Sequence, residues 1–260
     1  MATVIPKTST VLAALLKADL TTQWRNRRAV ILTLIVPVII VVSWKIFIPA
    51  LGGPFVLSNS ITVGLFASGL MGYANAIARD RDKGIFQRLR VAPIPSWAIM
   101  ASRLLIQVAM IFFITAAVFV IGKDYDGITL SSTAYILTFL TSIVGGAVSL
   151  SLGQLIVGWI KNPETINSTT RLVYLIFIMA GMFAEIALSK GKFGEKKDNL
   201  DQILADAVKY SPYGTVKTIL STSMEPDKWN SDTSVALLVT IIYIIVFATL
   251  GIKWFKWNTK

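Results

Sequence analysis

An all-α integral membrane protein, built as a bundle of six spanning helices, is the fold class this sequence predicts. Two observations carry that prediction. The first is composition: 54% of residues are hydrophobic, 15% are charged and mean hydropathy is +0.67, where a soluble domain has about 25% charged residues. The second is spacing. A bilayer core needs about 20 mostly apolar residues per helix, and six stretches supply them near 29–51, 56–78, 99–121, 133–158, 172–188 and 233–255. The fifth is short for a full crossing. The chain divides into an N-terminal interfacial helix within 1–28 and a membrane domain over 29–260. That domain includes a charged inner loop at 79–98 and an outer segment at 189–232, with short re-entrant or outer helices before the last span.

The elements follow in order. Residues 1–28 hold Lys7, Lys17, Arg25, Arg27 and Arg28 but no apolar core followed by a small-residue cleavage site, so they are expected to be retained. Within them Val11, Leu12, Leu15, Leu16, Leu20 and Trp24 form an apolar stripe, with Ser9 or Thr10 available as a cap. Such a helix lies in the membrane plane. The first span contains Pro37, which removes a backbone donor and favours a kink. It also contains Lys45 near its outer edge, which either snorkels to the interface beside Trp44 or marks a pathway. Small residues recur every fourth position in the second span (Gly64, Ser68, Gly72, Ala76) and in the fourth (Gly145, Ser149, Gly153). Helix backbones approach closely along such stripes, in a tight bundle or at a dimer seam. In the outer segment, Leu200, Ile203, Leu204, Ala207 and Val208 follow helical periodicity, and Ser211-Pro212-Tyr213-Gly214 ends that helix.

Charge sets the orientation. An even number of spans puts both termini on one side. The basic excess behind the net +11 lies in residues 1–28, 79–103 and 161–171 and in the C-terminal Lys253, Lys256 and Lys260. The segments expected on the opposite side, 123–126 and 185–232, are slightly acidic. The positive-inside rule makes the basic face cytoplasmic, in a cell inner or plasma membrane. The pI near 9.9 therefore reflects topology, and no nucleic-acid partner is expected.

Several chemistries are excluded. The chain has no Cys and no His, which removes thiol nucleophiles, disulfides and the usual zinc sites. No GxxxxGK[ST] loop occurs, so the chain is not expected to hydrolyse nucleotide itself. Ionisable residues in the spans, Lys45, Glu185 and Arg103, sit near their ends, whereas ion-coupled transporters use a carboxylate near mid-membrane. No catalytic residue, metal or cofactor is assigned to this chain.

The stretch from Ala78 to Leu105 stands apart. It is short, charged and punctuated by proline, yet it keeps Ile85, Phe86 and Leu89 at helical spacing. That pattern is an amphipathic helix suited to contact outside the membrane. Asp80, Gly84, Leu89, Pro93 and Arg103 resemble the pattern between spans two and three in the permease subunits of type-2 ABC exporters, in the drug, peptide and lipid branch. Asn162-Pro163-Glu164, Ala180-Gly181-Met182-Phe183 and Ser211-Pro212-Tyr213 resemble later parts of the same family; at the second of these the family turns back partway. This chain departs there, with Ala184-Glu185 where the family often has proline.

The resemblance implies a homodimer, or a heterodimer with a related permease, bound to two cytoplasmic ATPase subunits that carry ATP and Mg²⁺. It makes Asp80–Arg90 a coupling helix. Ile85, Phe86 and Leu89 would fill a groove on the ATPase, while Arg81, Lys83, Arg88 and Arg90 would set register by charge; Asp80, Asp82 and Gly84 belong to the same coupling segment. The alternative for this helix is simple contact with anionic lipid heads. The expected cargo is an amphiphile, with Pro37, Met179, Met182 and Phe183 as pathway candidates. A polysaccharide or lipid-linked glycan exporter is the alternative within the class. An ATP-independent channel or immunity protein is the alternative outside it.

Overall fold

A computed structural model describes residues 8–91, 96–189 and 206–255. In chain order the helices are α1 (Thr8–Arg25), α2 (Arg27–Ser43), α3 (Ile48–Leu51), α4 (Gly53–Phe66) and α5 (Asn75–Asp82). They continue with α6 (Ile85–Val91), α7 (Ser96–Asp124), α8 (Ser132–Trp159), α9 (Pro163–Ser189), α10 (Pro212–Met224) and α11 (Ser231–Trp254). A 3-10 turn, Trp44–Phe47, joins α2 to α3, and a wide π-helical segment, Ala67–Ala74, joins α4 to α5. No strand occurs among the described residues.

Among these residues, five stretches are long and apolar enough to cross a membrane: Thr33–Leu51, Gly53–Asp82, Ala101–Asp124, Ser132–Trp159 and Ser231–Trp254. The sixth stretch expected from sequence, 172–188, falls inside α9, which starts earlier than the hydropathy suggests, at Pro163. The backbone stays helical through 180–183 to Ser189, so it does not turn back there. Gly181 instead presses on the Tyr213 ring, where a Cβ would collide. Likewise, Ser9 and Thr10 lie within α1 and do not cap it, because the helix already runs from Thr8.

Gly53–Asp82 is the axis of the bundle. It is nearly all buried, packed by α2, α7, α8 and α10. Its 30 residues extend about 45 Å at 1.5 Å per residue, more than the roughly 30 Å hydrocarbon core. One end must therefore project. Small residues set the spacing around this axis. A Cβ on Gly64 would lie 2.6 Å from both Pro37 and Ile114, and one on Gly153 would lie 2.5 Å from the Gly69 carbonyl oxygen. The second-span stripe is thus only partly the one expected. Gly72 is not at a contact, its nearest would-be neighbour being 3.9 Å away, whereas Gly69 lies directly on the Ser149 backbone. The π segment shifts the register by which a four-residue period would be read. Pro37 is buried in this packing, inside an uninterrupted α2.

Polar side chains bond across helices inside the bundle. The Ser68 hydroxyl donates to Gln107 (2.9 Å), Tyr73 to Gln154 (2.9 Å) and Tyr213 to Asn59 (3.2 Å). The last of these anchors α10. Within 189–232, where short re-entrant or outer helices are expected before the last span, Pro212–Met224 is a helix whose Tyr213, Val216, Ile219 and Leu220 are fully buried against the bundle. Ser211 caps it by accepting from the Gly214 N–H (3.0 Å), with Pro212 at the first helical position, where its missing N–H costs nothing. Of the outer helix expected upstream, Leu200, Ile203 and Leu204 lie outside the described residues; Ala207 and Val208 sit in a helical turn at 206–209.

At the far end of α7, Lys45 does more than snorkel. Its ammonium donates to the Tyr125 carbonyl (2.6 Å), lies 4.2 Å from the Tyr125 ring and stands 3.9 Å from the Asp126 carboxylate. The Asp126 side chain has no solvent contact and accepts no hydrogen bond. Burial pushes its carboxyl above the ordinary 3.8, and Lys45 only partly opposes this. A carboxyl raised on folding stabilises fully below its unfolded pKa, and that contribution is lost as pH rises through the folded value. Asp126→Asn is therefore expected to raise the melting temperature at pH 7 and to leave it unchanged near pH 3. Thermal denaturation at both pH values checks this, and a fall at pH 7 would mean that the ion pair outweighs the burial.

Candidate functional site

The inner end of the axis helix terminates by a specific device. Gly84 adopts φ +66°, the left-handed conformation that glycine enters without a Cβ clash. The Lys83 N–H donates to the Arg79 carbonyl (3.0 Å) and the Gly84 N–H to the Arg81 carbonyl (3.1 Å), closing α5 and turning the chain into α6. The turn has an inner and an outer layer, and its charged residues divide between them.

Arg81 belongs to the inner layer. It is 2% exposed, and its guanidinium donates to the carbonyls of Val157 (2.9 Å), Ile160 (2.8 Å) and Lys161 (2.9 Å). Those are carbonyls at and just beyond the end of α8, which have no partner within their own helix and attract a cation through the helix dipole. Arg81 therefore ties the first inner loop to the second. The residue after Lys161, Asn162, caps α9 by accepting from the Glu164 N–H (2.8 Å). The expectation that Arg81 faces a partner is corrected: its fork is committed inside the chain.

Phe86 is corrected for the same reason. It is fully buried, edge-on to Phe255 (6.1 Å) and beneath the Arg103 guanidinium (5.0 Å). Arg103 in turn pairs with Asp80 (2.6 Å) and reaches Asp19 of α1 (4.0 Å), which accepts from the Ser102 hydroxyl (2.6 Å). The acidic and basic residues that sequence singled out on either side of the turn, Asp80 and Arg103, thus form one ion pair, both mostly buried. Asp19 is not among the site residues that the sequence singles out, because a lone acid off the apolar stripe of α1 carries no signal of a partner on α7.

The outer layer is what remains. Asp82, Lys83 and Arg88 are exposed and Ile85 is half-buried. The side chains of Leu89 and Arg90 lie outside those described. Of the pathway candidates, Pro37 is a buried packing residue and Met179 is exposed on α9. The side chains of Met182 and Phe183 lie outside those described. Among the described residues, no group of acidic side chains is arranged to hold a metal ion.

The family model of the ABC-2 family transporter protein matches residues 49–253. This range covers well over half of the chain and includes the axis helix, the inner turn, α10 and nearly all of α11. No curated protein matches the chain at a significant level. The chain therefore belongs to the ABC-2 transporter family, as a multi-pass membrane permease component of an ABC transporter.

Proposed function

We propose that this permease exports an amphiphile from the cytoplasm, powered by two separate ATPase subunits that dock on the α5–α6 turn. One observation carries the reading: the turn is fixed on its inner side and free on its outer side. Arg81, Phe86 and the Asp80–Arg103 pair bind it to α1, α7, α8 and the start of the C-terminal tail. Asp82, Lys83 and Arg88 remain open to solvent. A surface built this way can receive a push and pass it into packed helices without bending first. Leu89 and Arg90 are included in the docking proposal on their sequence alone.

The basic inner segments favour both termini in the cytoplasm. The aliphatic spans favour an amphiphilic cargo, and a second permease copy completes the assembly. Charge sets register at such a contact. Reversing Lys83 and Arg88 together to Glu is expected to weaken ATPase association by about tenfold or more, with membrane insertion unchanged. Co-purification from membranes reads this directly. Full retention of the ATPase by the double variant would overturn the docking assignment.

A further inference from the structure

A cavity of about 520 Å³ opens between α7, α8 and α11. Leu104, Val108, Ala147, Leu150, Ile244 and Ala248 are among its walls, and Tyr73 and Phe255 also line it. Its volume falls in the range of small-ligand sites. The polar groups around it are already engaged: Tyr73 donates to Gln154 (2.9 Å), and Ser151 donates to the Val148 carbonyl (2.9 Å). An occupant meets almost entirely hydrocarbon, and water has too few partners to stay.

Depth identifies the occupant. On α8 the walls run from Ile143 to Gln154, about 16 Å by helix rise. On α11 they run back from the helix end to Ile244, about 15 Å. Half of the hydrocarbon core of a bilayer is about 15 Å. The cavity therefore matches the depth of one leaflet, the leaflet on the side of the α5–α6 turn. The ends of α8 and α11, just beyond the residues that line it, have the features of a membrane interface. Trp159 and Trp254 stand 6.1 Å apart at the ends of α8 and α11 and are exposed, as interfacial tryptophans are. Lys161 and Lys253 are exposed beside them, and such cations attract anionic headgroups.

We propose that this cavity binds one acyl chain of an anionic phospholipid, with its phosphate at the level of Lys161 and Lys253. The chain fills the space against Phe255, which carries Phe86 on its other contacts, so the bound lipid supports the aromatic stack under the inner turn.

The test uses the full chain in phosphatidylcholine nanodiscs containing phosphatidylglycerol with a diazirine in mid-acyl chain. Crosslinks mapped by mass spectrometry are expected to concentrate at 147–150 and 244–248. Ile136 and Leu140 of α8, exposed at its other end, serve as the reference. Labelling at the groove should exceed the reference in the unmodified protein. Ala147→Phe or Ala248→Phe should cut groove labelling about tenfold, equivalent to 1.4 kcal/mol, without changing the reference. Lys161→Glu with Lys253→Glu should remove the preference for the phosphatidylglycerol probe over a phosphatidylcholine probe. A groove-to-reference ratio near one in the unmodified protein would overturn the proposal, and it needs no variant to fold. Groove peptides crosslinked between two copies of the chain would also overturn it, by showing a second copy in that place.

Discussion

Gly69→Val is expected to leave no folded permease after solubilisation. Gly69 sits against the backbone of Ser149, and a Cβ there would strike the carbonyl group itself. Backbone cannot rotate aside as a side-chain tip can. The reciprocal contact, Gly153 on the Gly69 carbonyl, allows no retreat in the other direction. The axis helix and α8 would have to separate, removing the packing that drives helix association in lipid and the neighbouring Tyr73–Gln154 bond. The cost should reach at least about 4 kcal/mol, the range of core overpacking at its worst. Gly72→Ala is the control. Its Cβ would meet nothing closer than 3.9 Å, and it should elute from a sizing column like the unmodified protein.

Arg81→Met is expected to destabilise by about 3–5 kcal/mol, the usual result of removing one partner from a buried charged contact. Three carbonyls lose their donor at once. The functional consequence differs from that of the Lys83/Arg88 reversal. On the docking assignment, the outer layer survives in Arg81→Met, so the ATPase still binds. The link from turn to α8 is lost, so ATP hydrolysis continues without transport. Arg81→Lys keeps the charge but not the planar fork, and it should recover part of the stability and little of the transport. Equal loss of binding and transport in Arg81→Met would show that Arg81 acts only through the fold.

Much of this architecture can be read from sequence because lipid demands it. Long apolar runs bounded by charge have few alternatives to membrane helices, and the α5–α6 segment stands out by breaking that pattern. Asp80 and Arg103 could be singled out, although nothing in a linear chain says that they meet. Three features could not be read. Arg81 lies in an alternating Arg-Asp-Arg-Asp run, which reads as a solvated face; only the three-dimensional end of α8 shows that one arginine turns inward. Ile85, Phe86 and Leu89 announce an apolar face, but periodicity cannot say whether that face meets a partner or the chain's own Phe255. The burial of helix α10 was hidden by its composition: Lys217 and several Ser and Thr residues lower its hydropathy. Its burial depends on bonds to the bundle such as Tyr213–Asn59.

The wide segment Ala67–Ala74 sets an angular offset between the two halves of the axis helix. Each residue of an ordinary helix advances about 100° around its axis, and a π turn takes in an extra residue without adding a full turn. Residues above and below it therefore keep different clocks. The upper half aims Gly64 at Pro37 and Ile114, and the lower half aims Arg81 at the end of α8. Gaining or losing a single residue in this segment would not merely lengthen or shorten a helix; it would re-aim everything beyond it, including Arg81.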